Sequence, residues 1–119
     1  MLQVNPIFDA AGQLYQQTRI SHWDAIARKR DTWQGMGRWY HRRLAEIYRF
    51  HVAPNLRVLE LGCADGRLLA DLKPAYGVGV DFSEEMIQRA RTRHPELTFI
   101  HADTHDLSAI NETFDVIIL

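Results

Sequence analysis

The feature that most constrains the fold of this chain is a change of sequence pattern after Pro54. Downstream of it, short apolar runs alternate with segments of roughly ten residues whose apolar side chains recur at helical spacing. Strands that alternate with helices in this way form right-handed βαβ units and a parallel sheet. The strand candidates are LRVLEL, YGVGVD, LTFIHAD and FDVIIL. The sequence therefore predicts the α/β class, with about four parallel strands and helices on both faces of the sheet.

Residues 9–51 have helical periodicity instead. In GRWYHRRLAEIYRFHV, side chains at spacings of three and four predict one buried face, formed by Tyr40, Leu44, Ile47, Tyr48 and His51. Ser21 is a candidate N-cap of a shorter, earlier helix, and Gly35 and Gly37 interrupt the pattern between the two. Ser83 is a candidate N-cap further along, for the helix in EEMIQRARTRH. Two or three helices are therefore expected before the first strand.

Composition excludes several classes of protein. Apolar residues make up 46% of the chain and charged residues 24%, as in soluble globular domains. No apolar run is long enough to cross a bilayer, and the amino terminus lacks the pattern of a secretory signal. We therefore expect a cytoplasmic protein with no membrane partner. The single Cys63 excludes an internal disulfide and a Cys-x-x-Cys metal site.

Charge is distributed unevenly although the net charge is only −1. Residues 1–50 hold eight Lys/Arg and four Asp/Glu, and residues 51–119 hold six and eleven. A basic flank can attract an anionic substrate or a nucleic acid. Because the acidic remainder repels phosphate, the pattern argues against nucleic acid as the partner.

A glycine loop, GCADGR, joins the first strand to the next helix. The dinucleotide fingerprint G-x-G-x-x-G requires glycine at 62, 64 and 67, whereas the sequence has Gly62, Ala64 and Arg67. The phosphate-binding G-x-x-x-x-G-K-[ST] motif is absent too, since no Lys-Ser or Lys-Thr follows Gly66. Both observations argue against a pyrophosphate ligand.

Acidic residues stand instead at the tips of three successive predicted strands. Glu60, Asp81 and Asp103 occupy these positions. Carboxylates accept hydrogen bonds from ribose hydroxyls or from an amino group, and backbone near glycine can approach a ligand closely. The set suits a nucleoside that carries a cation.

Four motifs of the chain resemble, in order and spacing, those of the class I S-adenosylmethionine-dependent methyltransferases, in the branch of small-molecule methyltransferase domains. The motifs are VLELGCADGRLL, GVGVDFSEEMI, FIHAD and FDVIIL. The resemblance covers about residues 56–119. It implies a Rossmann-like sheet, S-adenosyl-L-methionine as cofactor with S-adenosyl-L-homocysteine as product, and a small-molecule or sugar-containing methyl acceptor. Residues 1–53 would form an amino-terminal helical cap, and residues 54–119 the cofactor-binding αβ portion of one structural domain.

The resemblance also implies which residues hold the amino-acid end of the cofactor. Glu60 would help organise that end, and the loop would line it with backbone at Gly62, Cys63, Ala64 and Gly66. The family usually has glycine at position 64. We expect the methyl group of Ala64 to be tolerated with a slight shift of the loop.

At the nucleoside end, the resemblance gives roles to four residues. Asp81 would hold both ribose hydroxyls, and Phe82 would lie against the adenine. Asp103 would accept from the adenine amino group, with Thr104 beside the ring. The helical cap would cover the methionine end, with Tyr15, Trp39 and Tyr40 as candidate aromatic contacts.

Members of this family continue beyond the fourth strand, so the resemblance implies a domain truncated at its carboxyl end. The strand FDVIIL still runs at Leu119, and so apolar a strand at an open sheet edge invites pairing with another chain. A homo-oligomer through the exposed fourth strand would cover it. Residues that belong after Leu119 would contribute to catalysis, so activity of the chain on its own is an open question.

Two other functions remain open, a NAD-dependent oxidoreductase and a non-catalytic cofactor-binding or assembly module. The sequence identifies no catalytic residue, because methyl transfer mainly requires alignment of the nucleophile with the methyl carbon. HADTHD groups two histidines with two acids, but His101 ends a strand and His105 follows in a loop. That spacing argues against a metal site.

Overall fold

The computed structural model describes residues 10–30 and 36–119. Two helices come first, α1 (Ala10–Arg30) and α2 (Met36–His51). The remaining elements in chain order are β1 (Arg57–Leu61), α3 (Arg67–Asp71), β2 (Tyr76–Asp81), α4 (Glu84–Arg93), β3 (Thr98–His101) and β4 (Val116–Ile118). The predicted α/β class with four strands is confirmed.

The four strands form one parallel sheet in the order β3-β2-β1-β4. Strand β1 pairs with β2 from Arg57 opposite Tyr76 to Leu61 opposite Val80. The chain moves outward from β1 to β2 and β3, and then returns to place β4 on the other side of β1. In such sheets ligands bind outside the carboxyl ends of the strands, at the point where the strand order reverses.

The main core lies between one face of the sheet and the helices. It contains Val52, Val58, Cys63, Leu69, Leu72, Ile87, Ala90, Phe99 and Ile118. Strand β2 contributes glycines to this face, which leaves room for its neighbours: a Cβ on Gly79 would lie 2.8 Å from the Sγ of Cys63. The close packing places the glycine loop directly against β2.

The opposite face of the sheet is covered by a connection without helices, and not by the helices that the sequence predicts. Its buried residues are Leu59, Val78 and Val80, and the connection 102–115 supplies the half-buried Leu107 and Ile110. The sequence predicts helices on both faces, whereas in the described part of the chain the helices that pack on the sheet lie on one face. In the connection, Asp side chains accept backbone N–H groups two residues ahead, and such bonds favour turns over helix.

Helix α2 is rotated relative to the predicted orientation. Ala45 is the most buried residue of α2, and Tyr48 packs against the core. Tyr40 and Ile47 are 58% and 50% exposed, and His51 is also exposed, so the predicted burial of these three is wrong. The reason is that a small alanine, which adds little to an apolar pattern, lies at the centre of the buried side.

The helix boundaries confirm one predicted cap and correct another. The Oγ of Ser83 accepts the N–H of Met86 at 3.3 Å and caps α4 as predicted. Ser21 is not a cap, because α1 runs through it without interruption. Gly37 lies inside α2, and Gly35 is outside the described residues. Among the described helices, none combines the length and the apolar character that crossing a membrane requires.

Candidate cofactor-binding site

The glycine loop leaves β1 through backbone conformations that side chains disfavour. Gly62 and Gly66 have φ of 78° and 77°, and Ala64 has φ of 49°. The N–H groups of Gly62 and Cys63 both donate to the carbonyl of Val80, at 2.8 and 3.0 Å, which ties the loop to β2. A Cβ on Gly62 would meet no atom within 4 Å. The backbone at Gly62 is therefore open to a ligand.

Gly66 lacks a side chain for a different reason. A Cβ there would lie 2.5 Å from Cζ of Phe99, a contact that real Cβ atoms do not make. The left-handed φ adds a second requirement for glycine. The structure thus explains Gly66 by packing against β3, while Gly62 faces open space.

The Asp81 carboxylate connects the loop to the start of α4. Its Oδ2 accepts the N–H of Ala64 at 2.9 Å, and its Oδ1 accepts the N–H of Ser83 at 2.8 Å. The residue is only 7% exposed. Each carboxylate oxygen has two lone pairs, so both can still accept a hydroxyl of a bound ligand.

Glu60 is a buried acid with an unsatisfied oxygen. The residue is 6% exposed, and its Oε2 has no hydrogen-bond partner among the described residues. Burial raises the pKa of Glu60 to about 8; the N–H of Leu69 opposes this, and the carboxylates of Asp65 and Asp81 add to it. Glu60 is therefore mainly protonated at neutral pH, and a cation placed near Oε2 would favour its ionised form.

Cys63 contributes backbone to the loop and side chain to the core. Its side chain lies against Gly79, and the residue is 4% exposed. Burial strongly raises the pKa of the thiol, with the nearby acids Asp81 and Glu60 adding to the effect. A thiol held neutral in this way is a poor nucleophile.

An ion pair that the sequence reasoning missed anchors the same loop. Asp65 is 3% exposed, and its Oδ2 lies 2.8 Å from Nη1 of Arg93 at the end of α4 and 3.5 Å from Nη2 of Arg67. The signal that could have found it is an acid inside a glycine loop next to a basic helix end. Because the pair is largely buried on the Asp side, it fixes the loop between its two left-handed glycines.

Helix α1 lies across the carboxyl edge of the sheet and contacts two of the predicted site residues. The Nε2 of Gln16 donates to Oδ2 of Asp103 at 2.6 Å. The guanidinium carbon of Arg19 lies 5.5 Å from the ring centroid of Phe82. Sequence reasoning missed both α1 residues, because 87 positions separate Gln16 from Asp103.

Helix α1 makes a further polar contact at the start of α4. The hydroxyl of Ser83 donates to the carboxylate of Asp24 in α1. The three aromatic residues expected to cover the methionine end are exposed: Tyr15 by 64%, Trp39 by 63% and Tyr40 by 58%. Their contact with the cofactor stays a prediction. Helix α1 thus contacts two of the residues expected to hold the nucleoside, Asp103 and Phe82, as well as the N-cap of α4.

Asp103, two residues after the end of β3, is held in its ionised form by hydrogen bonds. Its Oδ1 accepts the N–H of His105 at 2.9 Å and lies 2.7 Å from the Nδ1 of the same residue. Burial raises the pKa of Asp103, but the bonds from His105 and Gln16 outweigh it and hold the pKa below its usual value. Thr104 lies beside it and is exposed. Among the described residues, no three His, Cys, Asp or Glu side chains converge as a metal site would require.

Replacing Ala64 by glycine is expected to stabilise the protein by about 0.5 to 1 kcal/mol. The left-handed conformation costs a non-glycine residue roughly 1–2 kcal/mol, and the greater freedom of glycine in the unfolded chain offsets part of the gain. Urea unfolding of Ala64→Gly measures the difference. Gly62→Ala is the matched control and should destabilise, since its φ is 78°. A loss of stability in Ala64→Gly would contradict the prediction.

Together, the sheet order and the acids at adjacent strand tips are typical of an α/β domain that binds a ligand at the carboxyl edge of its sheet. A family model described as methyltransferase domain matches residues 58–119, more than half of the chain. The chain therefore belongs to this family, the class I S-adenosylmethionine-dependent methyltransferase domains. The resemblance drawn from the four motifs is confirmed.

Curated relatives agree with the family. The dTDP-3-amino-3,6-dideoxy-alpha-D-glucopyranose N,N-dimethyltransferase of Streptomyces fradiae is 34% identical over 80 residues, which cover 63% of this chain and 31% of that protein. The malonyl-(acyl-carrier protein) O-methyltransferase of Bacillus anthracis is 38% identical over 76 residues, which cover 59% and 28%. The chain thus spans less than a third of the length of these relatives.

A solved structure shows the same fold over nearly the whole chain. The magnesium protoporphyrin IX methyltransferase of Synechocystis PCC 6803, solved with bound S-adenosylmethionine, superposes with a TM-score of 0.67 at 20% identity, covering 96% of this chain and 62% of that chain. At this identity the likeness shows the fold alone. None of these comparisons favours an oxidoreductase.

Proposed function

We propose that the site at the carboxyl edge of the sheet holds S-adenosylmethionine and that the protein transfers its methyl group to a small-molecule or sugar-containing acceptor. The observation that carries the proposal is the buried, unpaired Oε2 of Glu60, which stands at the tip of β1 beside the loop backbone that is open at Gly62. A buried acid with a free oxygen is suited to a ligand that brings a cation, as the ammonium of the cofactor does.

The amino-acid end of the cofactor would lie on the loop. Glu60 would face the ammonium, and the loop would present backbone at Gly62, Cys63, Ala64 and Gly66. Because Gly62 has no side chain and that of Cys63 is turned into the core, the ligand can approach the main chain there. The Asp65 ion pair would keep the loop in this shape before the cofactor arrives.

The nucleoside end would lie over the tips of β2 and β3. Asp81 would accept from the ribose hydroxyls, and Phe82 and Thr104 would flank the adenine. Asp103 would accept from the adenine amino group. This role is supported by the side-chain amide of Gln16, which donates an N–H to Oδ2 of Asp103 as an amino group would.

The bound cofactor supplies a methyl group on a sulfonium, which is already a good leaving group. What remains for this chain is to bind the cofactor, to hold its methyl group in a fixed direction and to exclude water beneath α1. A sugar-containing acceptor is supported by the dTDP-amino sugar in the name of the Streptomyces relative.

Calorimetric titration with S-adenosylhomocysteine tests the proposal. Asp103→Asn should weaken binding about tenfold, because it exchanges an ionised acceptor for a neutral one. Gln16→Ala should tighten binding by roughly three- to tenfold, because it removes the amide that competes for Asp103. The matched control is Gln88→Ala, an exposed glutamine of α4.

The opposite signs of the two effects make the test specific. Unchanged affinity for S-adenosylhomocysteine in both variants would show that Asp103 does not contact the adenine. Tight binding of NADH together with no binding of S-adenosylhomocysteine would refute the proposed function. Cofactor binding without methyl transfer in the complete natural protein would favour a non-catalytic module.

A further inference from the structure

A basic cleft lies between α2 and α3, outside the proposed cofactor site. Its volume is about 250 Å³, and we call it the arginine cleft; it is lined by Arg38, His41, Arg42, Arg49, Arg67 and Asp71. Four of its six lining residues are arginines, and only one is acidic. Such a composition on the inner side of a helix pair is typical of a surface that binds an anion.

Helical spacing explains why the arginines gather there. Arg38, Arg42 and Arg49 follow one another at intervals of four and seven, which places them along one side of α2. Ala45 lies on the same side and is 1% exposed, so α2 packs closely at this point. The side of α2 that faces α3 is therefore cationic where an apolar stripe would be usual.

Internal acids balance only part of this charge. Arg49 donates from Nε to the carbonyl of Asp71 at 3.0 Å and lies 3.8 Å from its carboxylate. Arg67 lies 3.5 Å from the carboxylate of Asp65. Arg38 and Arg42 have no ion-pair partner within residues 10–30 and 36–119. Two positive charges in the cleft are left unbalanced.

We infer that the arginine cleft binds a doubly charged phosphate group of the methyl acceptor, such as a phosphate monoester or a diphosphate diester. Planar guanidinium groups match phosphate oxygens in pairs, and a phosphate monoester carries close to two negative charges at pH 7. Arg67 directly follows Gly66, so a group in the cleft lies next to the cofactor loop. The inference rests on the proposed function for the identity of the acceptor, but anion binding itself does not.

The size of the cleft favours a small ligand over a nucleic acid. Pockets for drug-sized ligands begin at roughly 300 Å³, so about 250 Å³ suits one phosphate or diphosphate group. A strand would need a basic track beyond the cleft, whereas residues 51–119 hold eleven acids and six Lys/Arg.

Calorimetric titration of the chain with inorganic pyrophosphate at fixed ionic strength tests the inference. The double variant Arg38→Gln/Arg42→Gln should raise the Kd for pyrophosphate at least about tenfold, because it removes both unbalanced charges. Arg43→Gln is the control: it removes one positive charge from the same helix, but Arg43 is paired with Glu46 at 3.0 Å and does not line the cleft. The control should change the Kd by less than about twofold.

The same samples are titrated with S-adenosylhomocysteine, whose Kd should be equal in all three proteins. Pyrophosphate binding through Arg38 and Arg42 without any S-adenosylhomocysteine binding would support anion binding in the arginine cleft and refute the proposed function. The inference is overturned if pyrophosphate does not bind, if the control loses as much affinity as the double variant, or if S-adenosylhomocysteine displaces pyrophosphate. Tighter, arginine-dependent binding of a single-stranded oligonucleotide would overturn it in favour of nucleic acid.

Discussion

Asp81→Asn is expected to weaken the binding of S-adenosylhomocysteine by about 100-fold. The carboxylate accepts one N–H from the loop, at Ala64, and one from the start of α4, at Ser83. Asparagine keeps one acceptor oxygen and places an NH₂ group against the other N–H, so one of the two contacts is lost. The proposed ribose contact loses an ionised acceptor at the same time. Calorimetric titration measures the combined effect.

Loss of structure and loss of a ligand contact are separated by a matched variant. Asp115 also accepts a backbone N–H, that of Arg57 at 2.8 Å, at the amino edge of the sheet, far from the proposed site. Asp81→Asn should lower the free energy of unfolding by roughly 1–3 kcal/mol, and Asp115→Asn by less, because asparagine can still accept the single N–H of Arg57. Only Asp81→Asn should alter the affinity, and equal affinities in the two variants would contradict the ribose role.

Local sequence signals predicted the elements whose causes are local. The strand YGVGVD corresponds to β2, Tyr76–Asp81, because an apolar run bounded by turn residues has few alternatives. Ser83 was predicted as an N-cap, and its hydroxyl accepts an N–H only three residues ahead. Both outcomes depend on interactions that span a few residues.

Features that depend on distant packing could not be predicted in the same way. The requirement for glycine at 66 is set by the ring of Phe99, a residue on another strand. The rotation of α2 is set by how Ala45 approaches its neighbours, and alanine gives little signal in a pattern of large apolar side chains. The positions of Asp81 and Asp103 at strand tips followed from sequence, but the contact from Gln16 did not.

Glu60→Gln is expected to remove a pH dependence of stability that the wild-type protein carries between about pH 4.5 and 8. The pKa of Glu60 is raised from 4.5 to about 8, chiefly by burial. In this interval the folded protein keeps the Glu60 proton and the unfolded chain has lost it. The unfolded state binds fewer protons, so the wild-type free energy of unfolding falls as pH rises.

The expected size of the effect follows from the width of that interval. The free energy of unfolding of the wild type should fall by about 1.4 kcal/mol per pH unit relative to that of Glu60→Gln. Between pH 4.5 and pH 8 the difference between the two proteins should therefore change by up to about 5 kcal/mol. Groups common to both proteins cancel in the difference. Urea unfolding at several pH values measures it, with the exposed Glu84→Gln as control. A difference that stays constant over this range would show that Glu60 titrates normally.

The same side chain links stability to cofactor binding. An ammonium placed beside the unpaired Oε2 favours the ionised carboxylate, so binding of S-adenosylhomocysteine at pH 7 should release close to one proton from Glu60 in the wild type. Glu60→Gln has no such proton and should release none from this position, while binding more weakly because the carboxylate is gone. Calorimetry in buffers of different ionisation enthalpy counts the protons. Equal proton release in the two proteins would place the ammonium away from Glu60. The role of the buried acid would then be limited to the structure of the glycine loop.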